Sequence, residues 1–215
     1  VHYHALNLII NTKHKADPTE TEFLQTMLAS HYVKVRLLIL NTLIDNYHIF
    51  SNLKRSMVAV VPVSLLLKQL NDNFPEIRRA TAHVFEVLCG NQKMNSISFK
   101  LYYETENISI TEALVNSLRD EEEEVRWRIV RALEKLGDAK AIDSLIPLLG
   151  DAEARVRVQV AQTLSTLGDA KVVERIIPLL NDIDAGVRRE VAEILLKLGD
   201  AKVVERIIPL LNDID

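Results

Sequence analysis

The stretch that decides the fold runs from Leu167 to Asp184 and reads LGDAKVVERIIPLLNDID, and the same eighteen residues recur 31 positions later, from Leu198 to Asp215. A fixed period of 31 residues is typical of stacked helical repeats, because a unit this short cannot bury its own apolar face and must pack on its neighbours. The repetition therefore predicts an extended binding surface rather than the pocket of an enzyme.

Three Val-Arg pairs, at residues 125–126, 156–157 and 187–188, give the register of the repeat. An aspartate lies six residues before each arginine, and a glycine lies eleven residues after it. Between these positions the apolar residues recur every three or four residues, which predicts a hairpin of two helices in each unit. We expect each glycine to cap a helix in the left-handed conformation, and the aspartate after it to cap the next helix. These residues are Gly137, Gly168 and Gly199, followed by Asp138, Asp169 and Asp200.

A proline recurs inside the first helix of each unit, at Pro147, Pro178 and Pro209. A proline in the interior of an α-helix removes one hydrogen bond and costs about 3 kcal/mol in isolation. Its repetition at one position of the unit predicts a kink that curves the stack of helices.

The first half of the chain follows the same pattern less regularly. Arg78 follows Asp72 at the spacing of six residues, whereas Arg36 follows Ser30, so the aspartate is missing from that turn. Cys89 stands where the capping glycine would be, and we predict that it is a buried structural thiol.

Insertions separate the repeats of this first half, around residues 46–57 and 90–107, and we predict that they form loops on one face. We divide the chain into divergent repeats at 1–107 and regular 31-residue repeats at 108–215, joined in one continuous solenoid. Because the repeat stops in mid-pattern at Asp215, we expect a segment of a larger protein. The identical eighteen-residue blocks and the change of composition near residue 108 would suit a fusion of natural repeats to consensus-like ones, and a recent duplication of repeats explains them as well.

The segment LIPLLGDAEARVRVQVAQTLSTLGD, residues 145–169, resembles the HEAT repeat family. It has a first helix with an internal proline, a turn aspartate, and a Val-Arg pair that opens the second helix. The short period is similar to that of the HEAT-like repeats of phycobilisome lyases and of engineered repeat proteins. The resemblance implies an all-α fold, an α-solenoid (a right-handed superhelix) of HEAT-like helical hairpins.

The resemblance also implies a ladder in which turn aspartates pair with arginines between neighbouring repeats. A carboxylate is favourable at a helix N-terminus, and arginine can bridge it with two hydrogen bonds. We therefore assign eight charged residues to structure rather than to function: Asp72, Asp120, Asp151, Asp182, Arg78, Arg126, Arg157 and Arg188.

The positions that vary on the second helices form what we call the second-helix strip. They lie two, three and six residues after the Val or Ile that precedes the arginine, and the resemblance implies that they line the concave side, where a protein partner would bind. Trp127 is the only tryptophan of the chain, and tryptophan and arginine are enriched at binding hot spots; packing of Trp127 over a neighbouring helix is the alternative. The candidate partner-binding residues are Trp127, Arg128, Arg131, Val158, Gln159, Gln162, Arg189, Glu190, Glu193, Arg79 and His83.

Enzymes with HEAT-like repeats provide two further hypotheses. The deoxyhypusine hydroxylase type needs His-Glu pairs as iron ligands, and no histidine of this chain is followed by glutamate. A phycobilin lyase-like enzyme remains an alternative, although no set of residues marks such a site. Because the sequence also lacks a phosphate loop, a catalytic triad and a metal-ligand motif, we expect no catalytic residue, cofactor or metal.

The hydropathy and the charge of the chain limit the kinds of partner that we expect. The longest apolar run, Met57 to Leu67, is shorter than the roughly 20 residues that cross a bilayer, so we expect no membrane association. Residues 108–215 carry 15 Lys and Arg against 21 Asp and Glu, whereas phosphate binders usually have a basic excess. We therefore expect a non-catalytic, cytoplasmic scaffold that binds a protein, with nucleic-acid binding as the weaker alternative. The open last helix, near 201–212, also predicts self-association.

Overall fold

The computed structural model describes residues 18–45, 63–90, 109–168 and 170–198, and within these ranges every regular element is helical. The chain divides into two compact units, Val1–Ser117 (unit 1) and Leu118–Asp215 (unit 2). The predicted all-α fold of helical hairpins is confirmed. The division into 1–107 and 108–215 and the continuity of the solenoid stay predictions, and the expected loop at 46–57, most of the loop at 90–107 and the last helix lie outside the described residues.

Unit 1 contains five described helices, and four of them form two hairpins. Helix α1 packs on α2, α3 packs on α4, and the two second helices, α2 and α4, pack on each other. The helices are α1 (Pro18–Leu28), α2 (Val33–Asp45), α3 (Val63–Gln69), α4 (Pro75–Cys89) and α5 (Ile110–Asn116). Their contact faces bury aliphatic residues and one phenylalanine: Leu24, Leu28, Ile39, Leu40, Leu43, Leu66, Ile77, Phe85 and Leu88.

Unit 2 repeats one hairpin pattern. The second helices α6, α8 and α10 lie side by side, and a 3₁₀ segment at the end of each described first helix packs on the second helix that follows. The α-helices are α6 (Glu123–Leu136), α7 (Ile142–Leu145), α8 (Ala154–Leu167), α9 (Ala170–Ile176) and α10 (Ala185–Leu198). The 3₁₀ segments are Ser117–Arg119 before α6, Ala139–Ala141 before α7, Ile146–Gly150 after α7 and Ile177–Asn181 after α9.

The apolar stripe predicted for the second helices is the core of unit 2. Val156, Val160 and Leu164 are fully buried on α8. The same stripe is buried on the flanking helices, as Val125, Ile129, Leu133, Val187, Val191 and Leu195. Each such side chain contributes about 1.5–3 kcal/mol when it leaves water, so this stripe supplies most of the attraction between repeats.

Contrary to the prediction, the two described prolines of the repeat lie in 3₁₀ segments and not inside an α-helix. Pro147 is the second residue of Ile146–Gly150, and Pro178 is the second residue of Ile177–Asn181. Each first helix therefore changes from α to 3₁₀ one residue before its proline. Proline has no N–H to donate to the carbonyl four residues earlier, so the α-helical pattern is interrupted there and the chain continues as a 3₁₀ segment. Pro209 lies outside the described residues.

The predicted helix caps are confirmed at one glycine and wrong at another. Gly137 ends α6 with φ of 72°, in the left-handed region that favours glycine. Gly168 ends α8 with φ of −95° and ψ of 169°, which is extended backbone. Glycine is required there for space instead, because a Cβ atom would lie 2.5 Å from the Cβ of Val172.

Asp138 and Cys89 occupy two further positions at which the sequence predicted helix ends. The side chain of Asp138 accepts a hydrogen bond from the backbone N–H of Lys140 at 3.1 Å, as predicted for an N-cap. Cys89 is a buried thiol, also as predicted, but it is the last residue of α4 and Gly90 occupies the cap. The other cap residues of this prediction, Gly199, Asp169 and Asp200, lie outside the described residues.

We predict that Gly168→Ala lowers the free energy of unfolding by about 1–3 kcal/mol, because the added methyl group would overlap the side chain of Val172 and force a local shift. Gly150→Ala is the matched control, since a Cβ atom at Gly150 meets nothing within 4 Å. Urea unfolding followed by circular dichroism measures both variants. Equal stability of the two variants would contradict the close approach at Gly168.

Candidate functional site: the second-helix strip and the ladder that supports it

Arginine and aspartate side chains join neighbouring repeats of unit 2 through two-pronged bridges. Arg126 donates from Nε and Nη2 to the carboxylate of Asp151, both at 2.8 Å. Arg157 donates in the same way to Asp182, at 2.7 and 2.6 Å. Both pairs are largely buried, which makes such charge-assisted hydrogen bonds stronger and more directional. The predicted ladder is therefore confirmed for these repeats.

Each bridge also fixes the turn between the two helices of its own repeat. Arg157 donates from Nη1 to the backbone carbonyl of Asp151 at 2.8 Å. The carboxylate of Asp151 accepts the backbone N–H of Glu153 at 2.9 Å, and Asp182 accepts that of Asp184 at 2.8 Å. These bonds satisfy backbone groups that a helix start would leave open. One aspartate thus shapes its turn and joins its repeat to the preceding one.

The bridges shift the ionisation of their carboxylates. The hydrogen bond from Arg157 lowers the pKa of Asp182, against a smaller opposing effect of burial. Burial alone would raise the pKa of Asp151, but hydrogen bonds from Arg126 and from the N–H of Glu153 outweigh it and the pKa is lowered. Both carboxylates therefore favour the charged, bridged form.

Unit 1 contains a different form of the same bridge. Arg36 donates from Nη1 to both Asp72 and Gln69, and its buried Nε has no hydrogen-bond partner. The backbone carbonyl of Asp72 accepts Arg78 at 2.9 Å, as in unit 2. At the turn that lacks the aspartate, the hydroxyl of Ser30 accepts the N–H of Tyr32 at 3.2 Å. Ser30 thus makes the hydrogen bond to the turn backbone that an aspartate makes in unit 2.

Trp127 lies half-buried on α6, with arginine side chains around its ring. The guanidinium of Arg155, from α8 in the next repeat, lies 3.6 Å from the ring centroid. Arg131 and Arg128, from α6 itself, lie at 4.6 and 5.7 Å. Cation–π contacts of this kind are each worth about 0.5–1 kcal/mol at exposed sites. Trp127 therefore contacts a neighbouring helix, as the alternative interpretation predicted, and keeps part of its surface in solvent.

Two of these arginines also face carboxylates. Arg128 pairs with Glu124 one helical turn away at 2.7 Å, and Arg155 lies 3.6 Å from Glu123. The Arg155–Glu123 pair is exposed, whereas the Arg128–Glu124 pair is part-buried. Exposed pairs contribute about 0–1 kcal/mol. They orient the arginines around the indole more than they stabilise the unit. Arg155 was not among the predicted site residues, because it lies one residue before Val156 and the strip was defined only by positions after that valine.

A groove of about 420 Å³ runs across α6, α8 and α10. Five predicted residues line it, together with five that the sequence did not indicate. The predicted ones are Trp127, Val158, Gln159, Arg189 and Glu190, and the others are Ala154, Arg155, Asp184, Gly186 and Val187. We call this surface the unit 2 groove.

The remaining predicted residues do not line the unit 2 groove. Arg131 lies beside Trp127, Gln162 and Glu193 are exposed on α8 and α10, and Arg128 is held by Glu124. Arg79 and His83 lie half-buried on α4 of unit 1, four residues apart and so on one face of that helix.

Gln159 connects the floor of the groove to the preceding repeat. Its Nε2 donates to Glu134 on α6 at 2.9 Å and to Thr163 on its own helix at 3.4 Å. Burial raises the pKa of Glu134, and the hydrogen bond from Gln159 opposes that rise. Like the Arg–Asp bridges, this bond ties two neighbouring second helices together.

Within the described ranges no group of three or more His, Cys, Asp or Glu side chains could hold a metal ion. In the same part of the chain, none of the helices combines the length and the apolar character needed to span a bilayer.

Comparisons with known proteins agree with this architecture. A family model described as HEAT repeats matches residues 63–157, 111–197 and 144–215. No curated protein matches the chain.

Solved structures supply similar backbones. An engineered protein is 17% identical, over 91% of this chain and 92% of that chain, with a TM-score of 0.66. A designed armadillo repeat protein, solved in complex with the peptide (KR)4, is 16% identical over 91% and 90%, with a TM-score of 0.64. The MAST/Orbit N-terminal domain is 16% identical over 87% and 88%, with a TM-score of 0.55. At these identities the likeness shows the fold alone.

We predict that the Arg157–Asp182 bridge makes stability depend on pH. Since the pKa of Asp182 is lowered in the folded state, its contribution is complete above the unfolded value near pH 4 and is lost as the pH falls through the folded value. Wild type should exceed Asp182→Asn by about 2 kcal/mol near neutral pH, the scale of hydrogen bonds to charged groups, and the difference should shrink in acid.

Urea unfolding at a series of pH values measures this difference. Glu190→Gln is the control, because the exposed Arg189–Glu190 pair should contribute less than about 1 kcal/mol at any pH. A difference between wild type and Asp182→Asn that stays constant from neutral to acidic pH would mean that the charge of Asp182 does not stabilise the fold.

Proposed function

This chain belongs to the HEAT repeat family, and on that premise we propose that it is a non-catalytic scaffold that binds a protein partner along the second-helix strip of unit 2. The proposal places the protein in the cytoplasm, where a buried thiol outside a disulfide, such as Cys89, is ordinary. The partner is expected to present an extended segment, because the surface offered by neighbouring repeats is long and shallow.

The observation that carries the proposal is the unit 2 groove. It crosses three second helices and brings an aromatic ring, an amide and charged side chains to one surface. Trp127 and Arg155 are of the residue types most enriched at binding hot spots. Their stacking at 3.6 Å also restrains both side chains before a partner arrives, which reduces the entropy lost on binding.

The comparisons give further support. The designed armadillo repeat protein that shares this fold was solved with a peptide, (KR)4. A protein with a backbone similar to this one therefore binds a peptide. At 16% identity the likeness shows the fold and says nothing of the peptide that this chain would bind. The sequence of that peptide has to be inferred from the chain's own residues.

The two alternatives are supported less well. A nucleic-acid strand carries one sign of charge, whereas Glu190 and Glu193 share the strip with its arginines. A bilin lyase would need a site for the chromophore, and no described residue of the strip suggests one. Neither alternative explains the groove better than a peptide does.

We predict that peptides selected from a random display library on this protein bind the unit 2 groove. The variant Trp127→Ala with Arg189→Ala should lose at least about 30-fold in affinity, since hot-spot truncations cost about 2 kcal/mol or more. Arg119→Ala with Lys140→Ala is the matched control, because both residues are exposed and lie outside the groove.

Fluorescence anisotropy of labelled peptides measures the affinities, and thermal unfolding verifies that the two double variants are equally stable. Selected peptides that bind wild type and the Trp127 variant equally well would overturn the proposal. So would a library from which no peptide is enriched.

A further inference from the structure

One arginine of unit 1 uses its hydrogen-bond donors differently from its counterparts in unit 2. Arg126 and Arg157 each donate from Nε and Nη2 to the aspartate of the next repeat, and from Nη1 to backbone carbonyls of their own turn. Arg36 donates only from Nη1, to Asp72 and Gln69. The edge of its guanidinium formed by Nε and Nη2 therefore makes no hydrogen bond within the described ranges.

This open edge is unusual because Arg36 is only 8% exposed. Buried polar groups nearly always have a hydrogen-bond partner, since a buried N–H without an acceptor loses the hydrogen bonds that water gave it. An arginine side chain cannot avoid this loss by giving up its proton. The open edge therefore suits an acceptor with two oxygens, as the same edge has in unit 2.

A cavity of about 400 Å³ lies beside this arginine, and we call it the Arg36 cavity. Gln69 also lines it and is 4% exposed. Because Arg36 can only donate, Gln69 accepts its hydrogen bond with Oε1, at 3.3 Å. The Nε2 of Gln69 is thus a second donor that has no acceptor within the described ranges. Lys68 lines the cavity as well, is exposed, and pairs with no described carboxylate.

Asp72 is the one acidic residue among the described residues that line the Arg36 cavity, and its carboxylate is already bound. One oxygen accepts the hydrogen bond from Arg36, and the other accepts the backbone N–H of Phe74 at 3.0 Å. Two cationic side chains, Arg36 and Lys68, therefore line the cavity with one carboxylate. The unused groups are donors, so the cavity favours a ligand group that only accepts hydrogen bonds and carries negative charge.

The rest of the lining is partly aliphatic. Leu28, Ala29 and Leu65 contribute apolar surface to the Arg36 cavity. Its volume lies within the range of about 300–1,000 Å³ that is typical of small-molecule sites, and it exceeds what a carboxylate alone would fill. An aliphatic group attached to the carboxylate would gain by leaving water for these side chains.

We propose that the Arg36 cavity binds a carboxylate carried on a short aliphatic stem. The two oxygens are held by the Nε–Nη2 edge of Arg36, in the way that the unit 2 arginines hold the turn aspartates. Gln69 and Lys68 supply further donors, and the stem packs on Leu28 and Leu65. Since Nε has no contact with solvent, the guanidinium turns toward the cavity as the ligand enters. The site lies in unit 1, so it does not depend on the unit 2 groove.

The probe is isocaproate, which is leucine without its amino group, and isocaproamide is its neutral counterpart of the same shape. The signal of the Arg36 Nε–H group in a nitrogen–proton NMR spectrum of the full chain reports binding, because a buried N–H exchanges slowly with water. Arg36→Lys identifies that signal. We expect a saturable shift with isocaproate and none with isocaproamide. No saturable shift with isocaproate, or equal affinity for the two compounds, would overturn the proposal.

Variants test which side chains hold the ligand. Lys68→Glu should weaken isocaproate binding at least about fivefold, because it adds a carboxylate beside the one to be bound. Lys34→Glu is the matched control, since Lys34 is an exposed residue of α2 outside the cavity, and it should bind as wild type does. Arg36→Lys should lose at least about tenfold, because an ammonium group lacks the two-pronged edge.

The Lys68 and Lys34 variants keep the test decisive if Arg36→Lys does not fold. Equal binding by these two variants would contradict the assigned cavity. Inorganic phosphate that binds as tightly as isocaproate would also overturn the proposal, because phosphate has no aliphatic stem.

The carboxylate could belong to a free acid or to the C-terminus of a protein, and a peptide distinguishes these sources. The peptide is a pentapeptide of serine and glycine that ends in leucine, prepared with a free or an amidated C-terminus. If the free form binds at least as tightly as isocaproate, and the amidated form does not bind, the site is assigned to a protein C-terminus. If the free form binds more weakly than isocaproate, the site is assigned to a free acid.

Discussion

The two-pronged bridge from an arginine of one repeat to the turn aspartate of the next is the interaction on which the rest of unit 2 depends. Apolar packing brings the second helices together, but it has no direction and tolerates a shift of one helix along another. The hydrogen bonds from Arg157 to Asp182, at 2.7 and 2.6 Å, tolerate little shift of one helix along the other. Because Asp182 also accepts the N–H of Asp184, one carboxylate fixes both the turn and the register in which strip residues align.

Features that recur with the 31-residue period were predictable from the sequence, and features confined to one repeat were not. The helices, the buried stripe and the Asp–Arg pairs recur, so each is indicated several times. Gly168 and Gly137 occupy equivalent positions, yet one is extended and packed against Val172 and the other is left-handed. Pro147 was predicted to kink an α-helix from its interior, because a sequence does not show where an α-helix changes to a 3₁₀ segment.

The same distinction applies to the candidate site. Variation on a fixed apolar frame indicated Trp127, Gln159 and Arg189, because exposed positions are free to differ between repeats. The sequence did not indicate Arg155, which lines the groove and stacks on the ring of Trp127 from the preceding repeat. Such a contact depends on how two particular helices lie side by side. The ladder therefore supplies a regular support, and the side chains that line the groove differ from one repeat to the next.

The central claim, that the bridges couple neighbouring repeats, is tested most directly by native-state hydrogen exchange on wild type and Asp182→Asn. The bridge spans α8 and α10, so removing it should lower the protection of amides in both helices together, with little change in α4 of the other unit. Loss of protection confined to the turn at residues 182–184, with α8 and α10 as protected as in wild type, would contradict the claim.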